Sequence, residues 1–214
     1  MANHIVKKGE FLAAIAKQYG FSDWNVIWDD PQNSDLKKKR KNPNVLYQGD
    51  KLFVPEKRNK EASASAGQRH KFQIKAQPLK LRLVLKGLDD KPLANTQCVL
   101  HVDGGQFELT SDGQGLIEQK ISRSATVADL VIGGLDSPSQ GVVPISIGQL
   151  DPVDTASGQT ARLNNMGYFV GAPDADDSQA FRSAVEEFQC NNKLAVDGKC
   201  GPKTQAKLLE LHGC

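Results

Sequence analysis

The chain has 214 residues, 39% of them hydrophobic but only 6% aromatic, and a net charge of +2. That length exceeds one typical domain and suits two or three small ones, each with a small core. No run of about 18 apolar residues exists to form a transmembrane helix, so membrane insertion is not expected. The charge is unevenly spread: residues 1–60 hold 12 Lys and Arg against 7 Asp and Glu, and residues 150–214 hold 6 against 9. A basic head and an acidic tail point to different partners or faces at the two ends.

The first segment opens directly on a structural element. Residues 1–9 contain no apolar signal-peptide core, so export would need another carrier. Ile5 and Val6 read as a short strand, Gly9 as a turn, and Glu10 as an acidic helix start. Leu12, Ile15, Ala16 and Tyr19 recur at helical spacing and Gly20 ends that helix. A second helix begins near Ser22 and Asp23, with Trp24, Ile27 and Trp28 on one face, where both indoles are expected to serve the core. Leu52, Phe53 and Val54 form a returning strand stopped by Pro55. Between them lies an enlarged connection with the basic run Lys37, Lys38, Lys39, Arg40 and Lys41. It reads as a solvated loop, with contact to an anionic wall polymer or docking to an acidic protein surface as the alternatives. No aromatic residues interleave it and no nucleic-acid motif accompanies it, so nucleic acid is not expected as a partner.

This strand–helix–helix–strand segment resembles the LysM fold, a module that binds N-acetylglucosamine-containing glycans. The resemblance rests on Val6-Lys7-Lys8-Gly9, on Ile15-Ala16-Lys17-Gln18-Tyr19-Gly20, and on Gly49-Asp50-Lys51-Leu52-Phe53-Val54-Pro55. It implies a shallow glycan groove between two loops, formed here by Gly9, Glu10, Phe11 and Leu12 and by Asn42, Pro43, Asn44, Val45 and Leu46. Two departures stand out: Glu10-Phe11 replaces the usual Asp-Thr, and the second loop is enlarged.

Residues 58–71 are small and polar and read as a flexible linker. Strand signals follow: alternation at Leu81, Leu83 and Leu85, then runs at 98–102, 106–109, 116–121, 127–132 and 142–147. Asp103-Gly104-Gly105 and Ser111-Asp112-Gly113-Gln114-Gly115 separate them as turns. Short strands at this spacing predict a small β-sandwich over 72–149. With Lys91-Pro92-Leu93-Ala94-Asn95 ahead of a strand, the segment resembles the transthyretin-like or carboxypeptidase-regulatory β-fold, a spacer or docking platform. Cys98 reads as a small buried apolar residue. His101 and Asp112 read as a strand-face residue and a turn residue.

The tail, 150–214, reads as three helices. Asp154 or Thr155 caps the first, which Gly167 ends. The second, near 178–189, puts Phe181, Ala184, Val185 and Phe188 on one face. Pro202 opens the third, with Leu208 and Leu211 expected to face inward. Cys190, Cys200 and Cys214 cluster here without metal spacing, and a Cys190–Cys200 disulfide is the expected pairing. Leu163-Asn164-Asn165-Met166-Gly167-Tyr168, Ala184-Val185-Glu186-Glu187-Phe188-Gln189, Leu194-Ala195-Val196-Asp197-Gly198 and Gly201-Pro202-Lys203-Thr204 resemble the three-helix peptidoglycan-binding domain. Tyr168, Gln189 and Asp197 are its candidate surface contacts.

The whole is therefore expected to be an α+β multidomain chain: a LysM-like module over 1–57, the linker, the β-sandwich and the helical tail. The histidines His4, His70, His101 and His212 are scattered, and no nucleophile, carboxylate-pair or metal motif appears, so neither catalysis nor a cofactor or metal is expected. The arrangement of head, middle and tail resembles accessory proteins of type VI secretion and related contractile injection systems. Peptidoglycan is the expected partner, with a secretion spike or effector as a second. The alternatives are a protein-interaction adaptor built on wall-binding folds and a lytic wall effector.

Overall fold

A computed structural model describes residues 2–57, 63, 65–71, 78–87, 89–133, 141–171 and 178–214. Residues 58–62 and 64 of the linker expected at 58–71 lie outside the described residues. Helices and antiparallel sheets are both present, as α+β composition requires. The chain falls into two compact units: residues 1–2, 12–31 and 53–148 form one, and residues 3–11, 32–52 and 149–214 form the other.

The head contains β1 (Ala2–Ile5), α1 (Leu12–Gln18), α2 (Asn25–Trp28), a 3-10 turn at Pro31–Asn33, α3 (Ser34–Arg40) and β2 (Lys51–Val54). β1 and β2 pair as a two-stranded sheet. In α1 the buried face is Leu12, Ala13, Ile15 and Ala16, as its periodicity predicts. Trp28 is buried, and Trp24 sits half-buried at the start of α2. The segment expected to be a basic loop is helical over Ser34–Arg40. Only Leu36 and Arg40 of that helix are buried, so an apolar stripe was not there to be read.

In the first unit, β3 (Leu79–Val84) pairs antiparallel with β6 (Leu116–Ile121). β4 (Gln97–Val102), β5 (Gly105–Thr110), β7 (Val127–Ile132) and β8 (Gly141–Ser146) form a four-stranded sheet in the order β5-β4-β7-β8. Leu85, Cys98, Leu100, Val102, Ile117, Ile121, Ala128 and Leu130 build one core fed by both sheets. Asp103 and Gly104 both take positive φ between the paired Val102 and Gly105, a two-residue hairpin whose twist matches its strands. Asp112 is a turn residue, its Oδ1 accepting from the N–H groups of Gln114 and Leu116. Lys17 Nζ donates to Ser124 Oγ at 2.6 Å, and Arg123 Nη1 donates to the carbonyl of Phe21 at 2.8 Å. These bonds tie α1 and its exit turn to the loop after β6.

In the second unit, Thr155 Oγ1 accepts from Gly158 N–H and caps α4 (Ala156–Asn165). Gly167, at φ 90, ends the helix; its N–H bonds the Asn164 carbonyl while Tyr168 N–H bonds that of Leu163. α5 (Ser178–Asn191) and α6 (Pro202–His212) follow. Leu163, Val170, Ala184, Val185, Phe188 and Leu208 form the core. Leu211 is 49% exposed, contrary to expectation, because Leu208 and Thr204 already define the inward face of α6.

The expected Cys190–Cys200 disulfide is absent: all four cysteines are free. Cys190 lies exposed on α5, whereas Cys200 packs against the core, so the two thiols occupy different environments. Burial pushes the Cys200 thiol up to about 11. Cys98 is buried in the sheet core, as expected for a small apolar residue.

Candidate functional site

The anticipated head groove divides into side chains that support it and side chains that reach solvent. Phe11, Leu12, Val45 and Leu46 are all buried and serve as core. Gly9, Glu10, Asn42, Pro43 and Asn44 are half-buried. Glu10 Oε2 accepts from Lys7 N–H and pairs with His4 Nε2, each at 2.8 Å, so its carboxylate closes its own turn. Burial alone would raise this carboxyl, but the backbone bond from Lys7 and the His4 ring outweigh it and hold it below its ordinary value. Asn42 Oδ1 accepts from Asn44 N–H at 2.9 Å, fixing the second loop. Asn44 Oδ1 is buried without a hydrogen-bond partner.

The basic run is not five equivalent cations. Arg40 is 8% exposed and makes a two-point ion pair with buried Asp50, and its Nη1 lies 3.8 Å from Asp154 Oδ1. It is therefore withdrawn from any docking surface. Lys39 reaches Asp50 at 3.6 Å and Lys38 reaches Asp35 at 3.5 Å, while the lysines at 37, 38, 39 and 41 remain exposed.

In the tail, Gln189 is 1% exposed and is not a surface residue. Its Nε2 donates to Asp197 Oδ1, the Lys199 carbonyl and Thr204 Oγ1, and its Oε1 accepts from the N–H groups of Asp197 and Gly198. It ties α5 to the turn before α6. Asp197 is exposed but committed to that turn, its Oδ1 also accepting from Lys199 N–H. Tyr168 is half-buried with its ring edge-on to Phe188 at 5.4 Å, and its hydroxyl accepts from Asn191 Nδ2 at 3.4 Å. Of the three candidates only Tyr168 and Asp197 reach solvent.

The sequence reading missed Phe169, which is 85% exposed beside Tyr168. After the helix stop the Tyr168 ring packs edge-on against buried Phe188, while Phe169 projects into solvent. Phe169 thus offers an exposed aromatic face suited to the apolar face of a sugar ring, and the Tyr168 hydroxyl with Asn191 forms a separate polar pair.

Elsewhere, His101 lines an open cavity of about 370 Å³ with Asp103, Gln106 and Asp129, at the turn end of the four-stranded sheet. Among the described residues no group of His, Cys, Asp or Glu is placed to hold a metal ion. Among them, too, no helix is long and apolar enough to cross a membrane.

Residues 160–208 match the model of a family described as "Putative peptidoglycan binding domain". The matched stretch includes Leu163, Phe188, Gln189 and Leu208, the residues that hold the tail together. No curated protein and no solved structure matches the chain significantly.

Proposed function

We propose that this chain is a non-catalytic peptidoglycan-binding protein that holds the wall at more than one point, as an accessory to a contractile injection spike or its cargo. The carrying observation is the peptidoglycan-binding match over 160–208. Phe169 and the Tyr168 hydroxyl are the tail contacts, the ring stacking on a sugar face. In the head, the half-buried loop of Asn42, Pro43 and Asn44 is the glycan contact, with Asn44 Oδ1 an unsatisfied acceptor just beneath its surface. Two weak contacts on one chain hold a polymer more tightly than either alone. The secretion link rests on the order of the three resemblances and is an argument by analogy.

Sedimentation of the full chain with purified sacculi tests this. Wild type should pellet, Phe169→Ala should pellet several-fold less, and Asn44→Ala should show a smaller loss. A wild-type chain that stays in the supernatant would sink the reading.

A second reading, a protein adaptor, is favoured by the exposed lysines 37, 38, 39 and 41 and by exposed Val127, Val142 and Val143. Co-purification with a spike protein, without affinity for sacculi, would select it.

A further inference from the structure

The second unit contains a cavity of about 200 Å³ lined by Lys8, Tyr47, Gln48, Asp151 and Ser157. Its wall comes from the head turn, the approach to β2, and the segment that leads into α4. These stretches are held together independently of the cavity. Gln149 Cγ lies 3.6 Å from where a Cβ on Gly9 would sit, and Arg40 Nη1 lies 3.8 Å from Asp154.

Tyr47, Asp151 and Ser157 are held in place from behind. Tyr47 N–H donates to Asp50 Oδ2 at 2.9 Å, and its ring carries the Arg40 guanidinium 5.5 Å from the centroid. The Asp151 carbonyl accepts from buried Arg162 Nη1 at 2.8 Å, and its carboxylate accepts from Ser157 Oγ. Lys8 is exposed and makes no ion pair among the described residues. An ammonium and a carboxylate therefore line one cavity without neutralising each other.

We propose that this cavity binds a zwitterionic amino-acid headgroup, with the ligand carboxylate at Lys8 and the ligand ammonium at Asp151. A ligand carrying both charges replaces both hydration shells at once with charge-assisted hydrogen bonds. A neutral sugar supplies a counter-charge to neither group, and a simple anion that pairs with Lys8 meets the Asp151 carboxylate. The volume equals about seven waters at ~30 Å³ each, enough for one such headgroup with its stem against Tyr47. This deepens the wall reading and rests on it, because an uncrosslinked diaminopimelate in a wall stem peptide ends in such a headgroup, whereas a lysine does not.

The test is calorimetric titration of the full chain with free meso-diaminopimelate, with a stem tripeptide ending in that residue, and with N-acetylglucosamine. Lys8→Gln and Asp151→Asn are compared with the control Lys7→Gln. Asparagine retains the acceptor for Ser157, so folding is preserved. At least one zwitterionic probe should bind, with affinity at least tenfold lower in each of the two variants and unchanged in the control. Binding of the tripeptide alone assigns the headgroup to the polymer, and binding of the free amino acid alone assigns it to a solute. No binding of either probe, equal affinity in the variants, or preference for N-acetylglucosamine overturns the proposal. Sacculus sedimentation keeps the two readings apart. A chain that pellets but binds no zwitterion sinks the cavity alone, and one that binds a zwitterion but does not pellet sinks wall binding alone.

Discussion

Arg40 and Asp50 meet as a two-point ion pair, Nε to Oδ2 at 2.6 Å and Nη2 to Oδ1 at 2.9 Å, with both side chains buried. Asp50 also accepts from Tyr47 N–H, so one carboxylate joins α3 to the turn before β2. The cation that looked most available in a run of five is thus a structural part of the head.

Breaking this pair by Arg40→Ala should strand a buried carboxylate and cost about 3 kcal/mol. A urea titration should show the loss as a lower midpoint. Arg40→Lys should rescue only part of it, since a single ammonium cannot make both bonds.

The same pair sets an acid limit. Burial would raise the Asp50 carboxyl, but the bonds from Arg40 and Tyr47 N–H and the charges of Arg40 and Lys39 outweigh it and hold it below its ordinary value. The folded value being the lower one, its stabilisation is fully present above the unfolded value of ~3.9 and is lost as pH falls through the folded value. Stability of wild type should therefore drop more steeply below about pH 4 than that of Asp50→Asn. Equal acid slopes would contradict this.

Gln189→Leu should keep the side-chain volume but orphan the N–H groups of Asp197 and Gly198. The expected cost is about 3 kcal/mol. Hydrogen exchange should accelerate at those two amides before it does in α4.

Gly158→Ala should destabilise the tail by packing rather than by helix propensity. A Cβ there would press on the carbonyls of Pro152 and Asp151. Overpacking of about 2 kcal/mol corresponds to a fall in Tm of roughly 4–8 °C. A neutral or raised Tm would show that the segment before α4 yields easily.

Thiol labelling at pH 8 should rank the cysteines by environment. Cys190 is exposed and should react first, while a Cys200 thiol at about 11 is ionised in only about one molecule in a thousand. Fast Cys200 labelling, or a Cys190–Cys200 bridge under mild oxidation, would contradict the packing described.

Local chemistry made most elements readable in the sequence. The Asp103-Gly104 turn, the Gly167 stop and Pro202 at the start of α6 each act through their own backbone, and the strand runs carry their own alternation. What stayed hidden depends on distant partners. Arg40 needs Asp50 ten residues on, and Gln189 needs a turn and Thr204 beyond it. Phe169 escaped notice because an apolar residue after a helix stop has no periodicity to show which way it points. The cavity at Lys8 and Asp151 joins residues from opposite ends of the chain, which no local pattern can pair.

The central claim is binding to the wall without cutting it. One incubation of the full chain with purified sacculi can read both, as pelleted protein and as soluble muropeptides. The account predicts saturable pelleting, several-fold weaker pelleting of Phe169→Ala, and no muropeptide release. A chain that remains soluble, or one that releases muropeptides, would contradict it.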